Sequence, residues 1–220
     1  MRGLPFLLLL AGVSATDQGT RDAFSAIRQS DQHALMAGGT LESTLSSHNA
    51  QFFDWFALTF NESGSSRISV LDVGGGDGIT GTVLRELLGP SGGRLNYTCI
   101  DSTPISTDCA AYDGTALSYP DNSYDLVIFK FVLHHAADNT VGLLQDALRV
   151  RRAYVAVTED LKAETETQAK RNMIHDFQGV FRGRLEWEKL FELVGFSIDT
   201  SEVISTALDS DVARHFWVLN

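Results

Sequence analysis

Cysteine is scarce in this 220-residue chain: only Cys99 and Cys109 occur, too few for a disulfide scaffold or, unaided, a zinc site. Proline is scarce as well, with 4 residues against 19 glycines, which excludes collagen-like and linker-dominated architectures. Basic residues are the minority charge. Seventeen Lys and Arg against 28 Asp and Glu leave a net charge of −11, so no broad basic face exists to neutralise a phosphate backbone, and nucleic-acid binding is disfavoured. No apolar stretch is long enough to cross a bilayer as a helix. What remains is 44% apolar residues, enough to build the core of one globular domain.

Residues 1–15 carry Arg2, an apolar run over 4–13 and small residues at Val13 and Ala15. This is the grammar of a signal or targeting leader, with a packed N-terminal helix as the competing reading. A leader implies the secretory pathway or an organelle; without one the chain is expected in the cytoplasm. Residues 16–66 read as a helical cap and loop, in which Phe53, Phe56 and Phe60 recur at helical spacing. Beyond the loop, apolar strands predicted at 68–73, 95–100, 124–132 and 154–158 alternate with helices at 79–88 and 141–149. A helix over 185–194 closes at Gly195 and precedes strands at 196–204 and 215–219 with no helix between them, so those two pair antiparallel. The expected fold class is α/β: a doubly wound, Rossmann-like, seven-stranded and mostly parallel sheet over residues 67–220, with an antiparallel C-terminal hairpin and an N-terminal helical cap.

The densest motif is Val70-Leu71-Asp72-Val73-Gly74-Gly75-Gly76-Asp77-Gly78, a strand running into glycines and then a helix. It reads as G-x-G-x-G at Gly74, Gly76 and Gly78. Shifted, it reads as G-x-G-x-x-G at Gly76, Gly78 and Gly81, the dinucleotide fingerprint. Asp101 ends the next strand 23 residues after Gly78, where a ribose would need a carboxylate under either reading. Asp77 also suits a helix start, and Asp121 and Asp125 suit a turn. No G-K-[ST] follows the glycines, so a phosphate cradle is absent.

The order Leu71–Gly78, Asp101, Asp113-Gly114, Pro120-Asp121-Asn122-Ser123-Tyr124-Asp125 and Val132-Leu133-His134-His135 resembles the class I S-adenosylmethionine-dependent methyltransferases, in their small-molecule, type 11-like branch. The resemblance implies that the 72–78 loop, with Asp72, Gly74, Gly76 and Gly78, lies along the methionine part of the cofactor. It further implies that Asp101 holds the ribose hydroxyls, that Asp113 and Gly114 meet the adenine, and that Phe131 to Leu133 run beneath the cofactor. Only eleven residues separate Asp101 from Asp113, so the second crossover helix of that family is expected to be very short or missing.

Methyl transfer is a displacement in which holding two atoms in line supplies most of the acceleration. A base helps only when the acceptor is a hydroxyl or phenol, and His134 and His135, at the carboxyl edge of the sheet, are its candidates, with local strand capping as the alternative. Glu159, His175 and Arg182 follow the fifth strand and are candidate acceptor contacts. Arg149, Arg151 and Arg152 sit where a helix ends and read as structural. Cys99 reads as a buried strand residue, bonded to Cys109 only if the chain matures in an oxidising compartment. No metal is called for. Two rival readings stay open: a non-catalytic cofactor-binding partner subunit and a nicotinamide-dependent oxidoreductase.

Overall fold

The computed structural model describes residues 50–60, 67–166, 169, 179–204 and 213–220. All lie in one of the two compact units into which the chain divides, Thr40–Asn220. The leader, most of the cap and His175 lie outside the described residues.

Apolar runs without alternation make strands that must be covered on both faces. Strand β1 (Ile68–Val73) buries five of its six side chains, and β4 (Tyr124–Lys130) buries five of seven. With β2 (Leu95–Asp101), β3 (Ala110–Ala111), β5 (Arg151–Asp160), β6 (Ile198–Ile204) and β7 (Arg214–Leu219) they form one seven-stranded sheet in the order β3-β2-β1-β4-β5-β7-β6. Six strands run one way; β7 alone is reversed and pairs antiparallel with both β5 and β6. The hairpin expected at the end is there, with its later strand on the inside. Burial decides this order: β7 reads RHFWVL and is buried from its second residue on, whereas β6 reads IDTSEVI and suits an edge.

Among the described residues, four helices cover the two faces. Helices α3 (Thr140–Val150) and α4 (Arg184–Val194) set Leu144, Ala147, Trp187 and Phe191 against Leu71, Val73, Phe129 and Val157. On the other face α1 (Ala50–Phe60) and α2 (Ile79–Leu87) set Phe52, Phe53, Phe56, Val83 and Leu84 against Val70, Leu126, Ile128 and Ala156. An eleven-residue helix such as α1 is marginal alone, and each fully buried phenylalanine contributes roughly 1.5–3 kcal/mol, so α1 exists because the sheet covers its aromatic face.

Residues 102–109 hold no helix, as the short spacing predicts. They lead into β3, whose two residues are too few to leave a periodic signal. Arg149 and Arg152 are structural, in a wider sense than a helix end. Arg149 donates to the carbonyls of Tyr119 and Leu117 at 2.6 and 2.7 Å, and Arg152 donates to those of Asn122 and Ser123 at 2.7 Å each. Together they tie the turn before β4 to the start of β5.

Candidate active site

The strand order reverses between β1 and β4, which opens a crevice at their carboxyl ends, the place where open α/β sheets bind ligands. Four segments meet there: the glycine loop after β1, the 102–109 segment after β2, the Asp113 turn, and the Phe131–His135 turn after β4.

Gly74, Gly76 and Gly78 have φ of 74°, 60° and 78°, a region in which a Cβ is strained. At Gly74 a Cβ would also lie 2.4 Å from Val132 Cγ2, and at Gly75 2.5 Å from Cys99 Sγ. Gly76 differs, because its Cβ would meet nothing closer than Ile105 Cδ1 at 3.7 Å. The loop is thus packed from behind and open at its middle. Gly81 completes the dense side, where a Cβ would strike the Tyr97 ring at 2.4 Å. That contact explains the third glycine of the shifted fingerprint by helix-to-strand packing alone.

Asp72 is 1% exposed. Its Oδ2 accepts the Tyr97 hydroxyl at 2.6 Å, while Oδ1 has no hydrogen-bond partner. Burial pushes its carboxyl above the usual range against the pull of Lys130. Lys130 ends β4 with Nζ donating to Thr80 Oγ1 at 2.6 Å, over the rings of Phe52 and Phe53, and burial pushes its ammonium down. This Asp72–Tyr97–Thr80–Lys130 group lies behind the glycine loop. Only Asp72 of the four is marked by the sequence, because the others come from separate elements and carry no motif.

Asp101 Oδ2 accepts the Gly76 amide at 2.8 Å and Oδ1 that of Thr103 at 2.7 Å. Each carboxylate oxygen has two acceptor positions, so one on each oxygen is left after these bonds, a fit for two adjacent hydroxyls. Asp113 is exposed and turned into its own loop: Thr115 donates to its Oδ1 from N at 2.9 Å and from Oγ1 at 2.7 Å. Those bonds hold the carboxyl below its ordinary range. Gly114, at φ 78°, completes the turn, and Asn139 Nδ2 fixes it by donating to the carbonyls of Gly114 and Thr115 at 2.9 and 2.8 Å. Asn139 and the half-buried Tyr112 beside it, whose hydroxyl burial pushes up to about 12, are further residues the motifs do not reveal.

After β4, Phe131 takes φ 56°, a strained conformation for a bulky residue that costs about 1–3 kcal/mol and persists only when its surroundings over-determine it. They do so here. The Phe131 amide donates to Thr158 O at 2.8 Å, and Glu159 Oε1 accepts the amides of Val132 and Leu133 at 3.0 and 2.7 Å. Glu159 Oε2 meets His134 Nδ1 in a close pair. Glu159, expected as an acceptor contact, is instead fully buried and clamps this turn. A carboxylate only accepts, so Nδ1 of His134 carries a proton and donates it to Glu159. His134 is 3% exposed, its ring 4.9 Å from Phe181 and 4.1 Å from His135. Arg182 lies over the Trp187 ring at 4.8 Å, at a groove formed with Leu185, Glu186, Lys189, Leu190 and Leu193 on α4. The structure brings Asp72, the glycines, Asp101, Phe131 and His134 to the crevice edge and sets Arg182 against α4.

A second buried histidine, His215 on β7, passed unmarked. Although burial works against it, hydrogen bonds from Ser201, Trp217 and Arg184 hold the Glu188 carboxyl below its ordinary value. Ser201 therefore donates to Glu188 at 2.9 Å and accepts from His215 Nε2 at 2.8 Å. Burial pushes the His215 imidazole down to about 4, and its proton on Nε2 leaves it unable to activate Ser201 as a nucleophile. Among the described residues no group of three or more His, Cys, Asp and Glu could hold a metal, and no helix is long and apolar enough to cross a membrane.

The sheet and its crevice have a Rossmann-like fold, the fold seen in S-adenosylmethionine-dependent methyltransferases. Solved structures share it. One is a methyltransferase of this kind from Aquifex aeolicus, with 16% identity, 81% of this chain and 92% of that chain covered, and a TM-score of 0.55. Another is from Methanosarcina mazei, with 15% identity, 70% and 92% covered, and a TM-score of 0.54. A third is the 1,6-didemethyltoxoflavin-N1-methyltransferase of Burkholderia thailandensis, solved with 1,6-didemethyltoxoflavin and S-adenosylhomocysteine, with 13% identity, 95% and 91% covered, and a TM-score of 0.61. No curated protein sequence matches the chain. The family model described as a methyltransferase domain matches residues 71–154, from within β1 into β5.

Proposed function

We propose that the chain transfers a methyl group from S-adenosylmethionine to a small-molecule acceptor by in-line displacement. The observation that carries the reading is the pairing of an open left-handed Gly76 with an Asp101 carboxylate that keeps an acceptor position on each oxygen. The donor set suits the group. A sulfonium and an ammonium call for carboxylates and main-chain carbonyls, and Asp72, with its buried and unpartnered Oδ1, places a carboxyl behind the loop. When bound, the cofactor supplies an electrophilic methyl on a cationic sulfur. Gly74, Gly76 and Gly78 let the main chain approach it, Asp101 receives the ribose hydroxyls, the Asp113–Gly114 turn borders the adenine, and Phe131 fixes the floor.

His134 is the general base of this reading when the acceptor is a hydroxyl or phenol, with Glu159 setting its tautomer. His135 stands beside it, and His175 and Arg182 are second-choice acceptor contacts. A small acceptor is supported by the B. thailandensis neighbour, which was solved with a small molecule bound, and by the acidic charge balance. Calorimetric titration with S-adenosylmethionine, S-adenosylhomocysteine and NAD tests the cofactor; binding of NAD alone refutes the reading. Transfer of a labelled methyl group to small molecules of a cell extract tests turnover, and its absence despite cofactor binding favours a non-catalytic partner subunit. Full turnover by His134→Ala removes the base.

A further inference from the structure

The sulfurs of Cys99 and Cys109 are bonded, with the Cα atoms 4.5 Å apart across ten residues of sequence. The bond spans the very segment that lacks its crossover helix. In a doubly wound sheet such a helix anchors the loop after β2 by burying an apolar stripe. Among residues 102–111 here, Cys109 alone is buried. The segment nevertheless lies directly against the glycine loop: the Ile105 amide donates to Gly76 O at 3.1 Å, and Ser106 Oγ donates to Asp77 O at 2.7 Å. At the other end of the bond, Cys99 Sγ fills the space where Gly75 lacks a Cβ. Partly exposed hydrogen bonds of this kind, with that of the Thr103 amide to Asp101, compete with water and hold the stretch before β3 only weakly.

We propose that the Cys99–Cys109 disulfide takes the place of the missing helix and positions the ribose and adenine wall of the cofactor site, so that cofactor affinity depends on oxidation of this pair. The inference rests on the S-adenosylmethionine reading above. Closure is a thiol–disulfide exchange with a small-molecule disulfide of the glutathione type. The two cysteine thiols give up two protons and two electrons, the Sγ–Sγ bond forms, and the partner disulfide is cleaved to two thiols. Because both cysteines are buried, at 3% and 4% exposure, the bond is a built part of the site rather than a rapidly cycling switch.

A cross-link over about ten residues removes loop-closure entropy worth roughly a hundredfold in population. Reduction is therefore expected to weaken S-adenosylhomocysteine binding by about tenfold to a hundredfold. The test refolds the full chain from denaturant with and without dithiothreitol, so that burial cannot protect the bond, and counts free thiols by alkylation and mass spectrometry. Each form, together with Cys109→Ala and the double alanine variant, is then titrated calorimetrically with S-adenosylhomocysteine. Far-ultraviolet circular dichroism and limited proteolysis follow the fold. Weakened binding in the reduced and variant chains, an unchanged sheet signal, new cleavage confined to 102–109 and recovery of the wild type on reoxidation support the proposal. Equal affinity in both redox states overturns it while leaving the methyltransferase reading intact. Loss of the whole sheet on reduction also overturns it, since the bond would then serve global stability. No binding in any form overturns the cofactor reading and this inference together.

Discussion

Replacing Glu159 by alanine removes the acceptor of three donors at once: the amides of Val132 and Leu133 and Nδ1 of His134. Each buried donor left unsatisfied costs about 1–3 kcal/mol. Loss of the buried carboxyl, itself costly to desolvate, offsets part of that sum, and breaking a buried pair from one side typically costs about 3–5 kcal/mol. Glu159→Ala is therefore expected to destabilise the fold by about 3–5 kcal/mol. Glu159→Gln keeps an oxygen for the two amides and turns its NH2 toward His134, which answers by moving its proton to Nε2; about 1–2 kcal/mol is expected, as for one charge-assisted bond. Denaturant unfolding at pH 7 of the three proteins separates these cases, with midpoints shifted and slopes unchanged. Since Val132 is what a Cβ at Gly74 would strike, release of the turn should also weaken S-adenosylhomocysteine binding in the alanine variant more than in the glutamine one. An alanine variant within about 1 kcal/mol of wild type, or equal to the glutamine variant, would refute the clamp.

Gly74→Ala combines a positive φ with a 2.4 Å approach to Val132; a loss of about 1–3 kcal/mol in thermal or chemical unfolding and weaker cofactor binding are expected. Asp101→Asn should reduce S-adenosylhomocysteine affinity at least about tenfold in calorimetry, and unchanged affinity would remove Asp101 from the site. Burial pushes the His215 imidazole from its ordinary value of 6.5 down to about 4 in the folded chain. The unfolded chain thus binds more protons between those values, so this contribution to stability is full above about 6.5 and falls as pH drops toward 4. The raised Asp72 carboxyl works the other way, its contribution being lost as pH rises through its folded value. Unfolding curves at pH 7 and pH 4.5 should therefore differ less in His215→Phe than in wild type, and equal differences would exclude His215 as the source.

Strands β1 and β4 and the middle of β5 were legible because covered strands must be apolar on both faces, and the glycine loop because left-handed turns and close approach leave few other residues. Asp101 was legible from its position after a strand. Partners brought together through space were not. Tyr97 meets Asp72 and Glu159 meets His134 across 25 residues each, and neither pair leaves a local pattern. Glu159 misled for a related reason, since a carboxyl at a strand end looks solvent-facing until a neighbouring turn is seen to donate three bonds to it. The pairing of Cys99 with Cys109 was only conditional, because sequence spacing does not state a redox compartment. The position of β7 inside the sheet depends on comparing the burial of two strands, which their order along the chain does not disclose.

That position has a consequence for synthesis. The chain is made from its N-terminus, yet the inner strand of the hairpin follows β6, the strand it separates from β5. Until Arg214–Leu219 have left the ribosome, the long β5 shows one unpaired edge and β6 has no neighbour to join. A nascent chain holding β1 to β5 therefore carries an exposed, apolar strand edge through the time needed to translate the intervening residues, a template for pairing with other chains. Of this sheet's strands β7 emerges after the others, and it acts as the latch that ends this exposure.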